Sequence, residues 1–230
     1  QFKLTPYLTD IQGHSLLQLK CKPGSTSVEL SLYHKDGARD PILYGHLADT
    51  MNGQIHILLY ILNDPASPRF DVDVMPNGER TQFGTFLRNT EAERDALQFG
   101  LAPGQIRGGL GLLTSATRAF EQFVESLGHD MYFAEPLYYH NAIIFERYGF
   151  AYQVGKKLME RIQTEFTSES GITSQLDGSS VFRQPEAKTS IRLRSWAIHD
   201  GILGEPFTNV TMYKRIGKDA GVSTCQSSTW

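Results

Sequence analysis

A chain of 230 residues with 40% apolar content can bury a core, as one large domain or two small ones. Its 22 Lys and Arg stand against 25 Asp and Glu, a net charge of −3 with no basic run, which excludes an electrostatic footprint for nucleic acid. No apolar run has bilayer length and no signal-peptide pattern opens the chain, so no membrane partner is expected and the reading is cytoplasmic.

Residues 25–36, "STSVELSLYHKD", alternate apolar and polar and end at the turn signal Asp36-Gly37. "ILYGHLADT" and "QIHILLYILND" follow, two strands joined at Asn52-Gly53. "RFDVDV", Arg69 to Val74, reads as another short strand, closed by Pro76-Asn77-Gly78. From Thr90 the period changes. "TEAERDALQFG" opens with Thr-x-x-Glu, a capping box, and stops at Gly100, which predicts a helix. Leu97, Phe99 and Leu101 also alternate, so a strand ending at Pro103 is the rival reading.

"APGQIRGGLGLL" then packs four glycines ahead of an apolar stripe at Leu112, Leu113, Ala116, Ala119, Phe120, Phe123, Val124 and Leu127, a helix ended by Gly128. "DMYFAE" is a buried strand, "NAIIFERYG" a short helix with Asn141 as N-cap, "FAYQV" a strand and "KKLMERIQTEF" an amphipathic helix. Residues 167–189 are polar and aperiodic and read as a surface excursion. "SIRLRSWAI" and "FTNVTMYKRI" read as a closing pair of strands, and the last dozen residues as frayed or surface-lying. The order predicts an α+β fold, a mixed, mostly antiparallel central sheet flanked by helices, as a single domain over 1–230 with an inserted segment at 75–100. Cys21 and Cys225 are read as two free thiols, with a single bridge between them as the alternative.

Glycines leading into a helix present successive N–H groups at the positive end of its dipole, a ready anion site. A tight loop packed under a sheet explains glycines equally well. No Gly-Lys-Ser/Thr follows, so a Walker loop is excluded, and Glu121 and Glu125 sit inside the helix rather than where a dinucleotide fold needs its acid.

The succession of glycine turn, long helix, Gly128, buried strand and "NAIIFERYGF" resembles the core of the GNAT N-acyltransferase superfamily, over about residues 100–152. In that family the turn reads Arg/Gln-x-x-Gly-x-Gly/Ala and binds the pyrophosphate of an acyl-coenzyme A. "IRGGLG" supplies Gly109 and Gly111 in the two glycine places, and Tyr148, Gly149 and Phe150 match the family's helix ending. The resemblance implies acetyl-CoA or another acyl-CoA as co-substrate, held by Ile106, Arg107, Gly108, Gly109, Leu110, Gly111 and Asn141. The acceptor it implies is an amine of a small molecule or peptide. Some relatives pair through the closing hairpin, which makes a homodimer a candidate assembly. The chain also departs from the pattern. The Arg/Gln place falls on Ile106, the family's general-acid tyrosine falls on Phe145, and Tyr138 stands where the family has its asparagine, three residues before Asn141.

Direct attack of an amine on a thioester needs a base, an oxyanion donor and a proton for the departing thiolate. Asp71 and Asp73 share one face of the expected "FDVDV" strand, with Asp73 nearer its end. Glu135 closes the apolar strand just before Pro136, where a carboxylate is partly desolvated. Tyr138, Tyr139, His140 and Tyr148 are the candidates for the acid that Phe145 cannot be. His199-Asp200 reads as a turn-forming Asp-Gly, and His14, His34, His46 and His56 lack metal-ligand spacing, so no metal is expected. Acyl transfer to an amine is the leading function. A non-catalytic acyl-CoA binder and an unrelated phosphate-ligand module sharing only the turn are the alternatives.

Overall fold

The computed structural model describes residues 8–50, 53–81, 87–169, 171–225 and 229–230. Strands β1 (Leu17–Lys20), β2 (Ser27–Leu32), β3 (Leu43–Asp49) and β4 (Ile55–Leu62) come first. Helices α1 (Thr90–Phe99) and α2 (Leu113–Ser126), strand β5 (Met131–Ala134) and helix α3 (Tyr139–Arg147) follow. Strand β6 (Ala151–Val154), helices α4 (Lys156–Thr167) and α5 (Ile191–His199) and strand β7 (Thr211–Arg215) complete the order. The class is α+β with mostly antiparallel pairing. Two compact units divide the chain: Gln1–Pro68 with Arg107–Glu135, and Arg69–Ile106 with Pro136–Trp230. Among the described residues no helix is long and apolar enough to cross a membrane.

In the first unit β1 to β4 form an antiparallel meander and β5 joins β4 in parallel. The Asn52-Gly53 turn holds as read at Gly53, which takes φ +70° and donates its N–H to the Thr50 carbonyl at 2.8 Å; Asn52 lies outside the described residues. A parallel neighbour needs a crossover, and α2 supplies it. Its apolar stripe lays Phe120 edge-on to Tyr132 of β5, ring centres 5.1 Å apart, with Val124 fully buried beneath. The Tyr132 hydroxyl donates to Glu121 at 3.4 Å, so the acid inside the helix is there for the sheet.

Between β4 and α2 the chain leaves this unit at Pro68 and returns at Arg107. Its two ends are tied together. Asp64 N–H donates to the Gly108 carbonyl at 2.7 Å, and Gly108 N–H donates to Ser67 Oγ at 2.9 Å.

In the second unit the helix reading of Thr90–Phe99 is the one that forms, but its cap is Asn89, whose Oδ1 accepts from Ala92 N–H. Glu93 therefore completes no capping box. It is buried and accepts instead from Arg88 at 2.5 Å and from His199 Nε2 at 2.9 Å. Burial alone would raise its pKa, yet those two partners hold it below the ordinary carboxylate value. Leu101, the last residue of the rival alternation, packs with Val72, Ala96, Phe182 and Trp196 in one apolar cluster.

Several expectations are corrected here. Arg69–Val74 is a turn, not a strand: Val74 N–H donates back to the Asp71 carbonyl, and Arg69 gathers both carboxylates, Asp71 and Asp73, onto one guanidinium. "SIRLRSWAI" is helix α5. Ser190 caps it by accepting from Leu193 N–H, and the alternation misled because Arg194, which broke the helical stripe, is itself fully buried. With that strand gone, β7 pairs antiparallel with β6 instead. Within residues 167–189, short 3₁₀ turns bury Ile172 and Ala187, and Leu176 and Phe182 are buried outside those turns. Helix α3 starts at Tyr139 behind an N-cap at Tyr138, so Asn141 is its third residue. Near the C-terminus Thr224 and Cys225 are buried; Thr224 donates its N–H and hydroxyl to Glu146. Cys21 is exposed, and both cysteines are free thiols.

Arg194 ties this unit together. Its guanidinium donates to the carbonyls of Ala187 and Lys188, to Gln163 Oε1 at 2.8 Å and to the Tyr139 hydroxyl at 3.1 Å, and stacks over Phe166. Arg194→Ala strands those buried acceptors and opens a void. Urea unfolding is expected to show a loss of about 3 kcal/mol or more, with Arg194→Lys recovering only part because it lacks the planar fork.

Candidate active site

Strands β4 and β5 pair over a short stretch, Ile55–Ile57 against Tyr132–Ala134, and the ladder ends where Glu135 N–H donates to the Ile57 carbonyl at 3.1 Å. The next residue, Pro136, has no N–H to continue it. From there β4 runs on to Leu62 without β5 beside it. It also changes course at that point. Leu47 of β3 faces Ile57 while His46 faces Leu59, so Leu58 is an extra residue, a bulge of the kind that re-aims a strand.

At this last rung two side chains meet. Along β5, Tyr132 and Ala134 turn toward α2, which leaves Phe133 and Glu135 on the opposite face. His56 of β4 lies there, edge-on to Phe133, with its Nε2 3.4 Å from Glu135 Oε1. That separation suits a charge pair but is long for a good hydrogen bond. Nε2 is shut off from solvent and has no hydrogen-bond partner among the described residues. Buried polar atoms are nearly always satisfied, so an orphaned imidazole nitrogen beside a carboxylate is one that a further group can complete.

The other end of β4 meets the glycine turn. Three of the glycines have reasons within the chain. A Cβ on Gly104 would enter the Tyr138 ring, one on Gly108 would stand 2.9 Å from Ser67 Oγ, and Gly111 takes φ +68°. Gly109 has none: its φ is ordinary, and a Cβ would meet only the Leu62 carbonyl oxygen, at a comfortable 3.6 Å. Among the described residues the N–H groups of Gly109, Leu110 and Gly111 donate to no protein acceptor. Helix α2 follows with no side-chain cap and no acid in its first turn.

Comparison with family models, curated proteins and solved structures finds no match. The site therefore rests on its own geometry.

Of the sequence-predicted residues, Glu135, Arg107, Gly108, Gly109, Leu110 and Gly111 all belong to the first unit. Arg107 is held by Asp40 at 3.0 Å and by the Ser67 carbonyl at 2.5 Å. Ile106 belongs to the second unit, where it packs on the Trp196 cluster and accepts from Phe70 N–H, so it is a core residue. Asp73 is engaged with both oxygens by Arg69 at 2.8 Å. Tyr139, Tyr148 and Asn141 also lie in the second unit. Tyr139 is 1% exposed, and burial holds its pKa well above the phenol value although the Arg194 charge beside it acts to lower it. Tyr138 stacks on His140 and meets His199 edge-on, and burial pushes its pKa up to about 12. Phe145 stacks on Phe150 at 4.8 Å. His199-Asp200 does end a helix at a glycine turn, with Gly201 at φ +82°, but both side chains also join an ion network with Glu93, Arg88 and Arg183. Among the described residues no three His, Cys, Asp or Glu converge as a metal site.

Sequence reasoning set His56 aside with the scattered histidines. The usable signal was its place: one imidazole inside "IHILLYIL", an otherwise apolar strand but for Tyr60.

Proposed function

We propose that the chain is an acyltransferase of the GNAT type, moving an acyl group, acetyl in the first instance, from acyl-CoA to an amine of a small molecule or peptide. The observation that carries this reading is Gly109. Nothing among the described residues requires glycine there, and its N–H, with those of Leu110 and Gly111, leads into an uncapped helix, which is what a pyrophosphate needs.

The rest of the first unit supports it. From Leu62, against which Gly109 lies, back to His56 is six strand residues, ~20 Å at the usual rise, the order of length of an extended phosphopantetheine arm. The stretch of β4 between them has no β5 partner and can pair with the arm's amides. At the far end Glu135 and His56 meet an incoming amine. Glu135 takes the amine's proton, and His56 either relays it or holds the carboxylate in line. Backbone N–H groups at the Leu58 bulge are the donors for charge developing on the thioester oxygen. The loss of a tyrosine at Phe145 favours one second reading, an acyl-CoA binder without turnover.

Calorimetric titration with CoA and acetyl-CoA tests the reading. Because a side chain fits at 109, Gly109→Asp should fold normally yet weaken CoA at least tenfold by placing a carboxylate against the pyrophosphate. Equal affinities for native and variant protein would rule the turn out as the phosphate site.

A further inference from the structure

The loop that leads out of β4 touches the glycine turn through the side chain of Ser67. Its Oγ accepts the Gly108 N–H at 2.9 Å, and a Cβ on Gly108 would stand 2.9 Å from that oxygen and 3.4 Å from Ser67 Cβ. A serine hydroxyl thus lies directly against the backbone of the turn, which only glycine allows. The next three N–H groups, of Gly109, Leu110 and Gly111, donate to no protein acceptor among the described residues. Helix α2 follows with no side-chain cap and no acid in its first turn. A dianion carried on Ser67 Oγ would find unclaimed donors and the positive end of a helix dipole beside it. No cation has to be freed for this, and Arg107 stays with Asp40 and the Ser67 carbonyl.

Ser67 is also placed to receive such a group. It precedes Pro68, and a hydroxyl residue followed by proline is what proline-directed protein kinases read. Pro65, Ala66 and Pro68 around it are exposed, and Ser67 itself is half-buried. We propose that Ser67 is a phosphorylation site whose phosphoryl group occupies the glycine turn in place of the coenzyme pyrophosphate. The inference rests on the acyl-CoA reading above and adds a covalent off-switch to that site. In the transfer, Ser67 Oγ bonds to the γ-phosphorus of ATP and gives its proton to the kinase's base. The bond from that phosphorus to the β–γ bridging oxygen breaks, and ADP leaves. On the modified serine the phosphoryl oxygens take over the Gly108 N–H and reach those of Gly109 and Leu110. The two anions compete for the same donors, and the tethered one is always present at high local concentration.

The test uses the full chain carrying Thr5→Ala, which removes its other hydroxyl–proline pair. A purified proline-directed kinase with ATP is expected to phosphorylate Ser67, as located by mass spectrometry. Pro68→Ala, with an unchanged melting temperature, should abolish that reaction while keeping the hydroxyl. The phosphorylated chain should show shifted amides at Gly108, Gly109 and Leu110 without any coenzyme. It should also bind CoA at least about tenfold more weakly than the unmodified chain. A Ser67 that the kinase leaves unmodified overturns the proposal. So does a phosphorylated chain whose turn amides have not moved, or one that binds CoA with native affinity. In those cases CoA binding by the unmodified chain leaves the acyl-CoA reading standing. Failure of the unmodified chain to bind CoA removes the reading and the switch together.

Discussion

Glu135→Gln is expected to lower kcat for acyl transfer by about 10²–10⁴-fold, the range for removing a positioned general base, while affinity for acyl-CoA stays within about twofold. The reason is spatial. Glu135 stands at the last paired rung of β5, and the turn proposed to hold the pyrophosphate lies at the other end of β4. Losing the carboxylate removes proton transfer without touching the phosphates. His56→Ala should cost less in kcat than the Glu135 change if His56 positions the carboxylate, and as much if it carries the proton itself. Steady-state rates with acetyl-CoA and a panel of amines, together with binding titrations, separate the two. A Glu135→Gln protein that turns over at the native rate would remove this residue from the chemistry.

The second large effect concerns stability in acid. His140 is 3% exposed, with its Nδ1 2.9 Å from Ser195 Oγ and its ring against Tyr138. Burial, reinforced by the nearby His199, pushes its pKa down to about 3 from an ordinary 6.5. Between those two values the unfolded chain takes up a proton that the folded chain refuses, so protonation favours unfolding. Stability is therefore full above about pH 6.5 and declines as the pH falls toward 3, by roughly 1 kcal/mol per pH unit. Glu93 adds to the loss at the acid end. Its folded pKa lies below the ordinary carboxylate value, so the stability it contributes is present above that value and lost as the pH falls through the folded one. Urea midpoints measured from pH 7 to pH 4 should fall steadily, and His140→Gln should flatten the upper part of that slope. A midpoint independent of pH over this range would contradict the burial account.

The parts of the fold that the sequence made legible are those where one face meets solvent. The β2, β3 and β4 strands, the α2 stripe and the apolar β5 all declare their period, and the glycine terminators at 100, 128 and 149 mark real ends, each with positive φ. Two of the failures share one reason: charge was taken to mean exposure. Arg194 lies at the centre of a buried network, so α5 looked like an alternating strand. Asp71 and Asp73 looked like one face of a strand because Arg69, which collects both, was not counted as their partner. Within the candidate site a different limit shows. The turn and Glu135 were visible from motif and position. His56 was not, because its meaning depends on a parallel neighbour some eighty residues on, a pairing no local pattern encodes.

The most direct test of the central claim is to follow the backbone amides of the labelled chain during titration with acetyl-CoA. The account predicts the largest shifts at Gly109, Leu110, Gly111 and Leu113, with a second group along Leu58–Leu62 and at Glu135. Saturable binding that moves amides elsewhere and leaves those of the turn and β4 in place would contradict it.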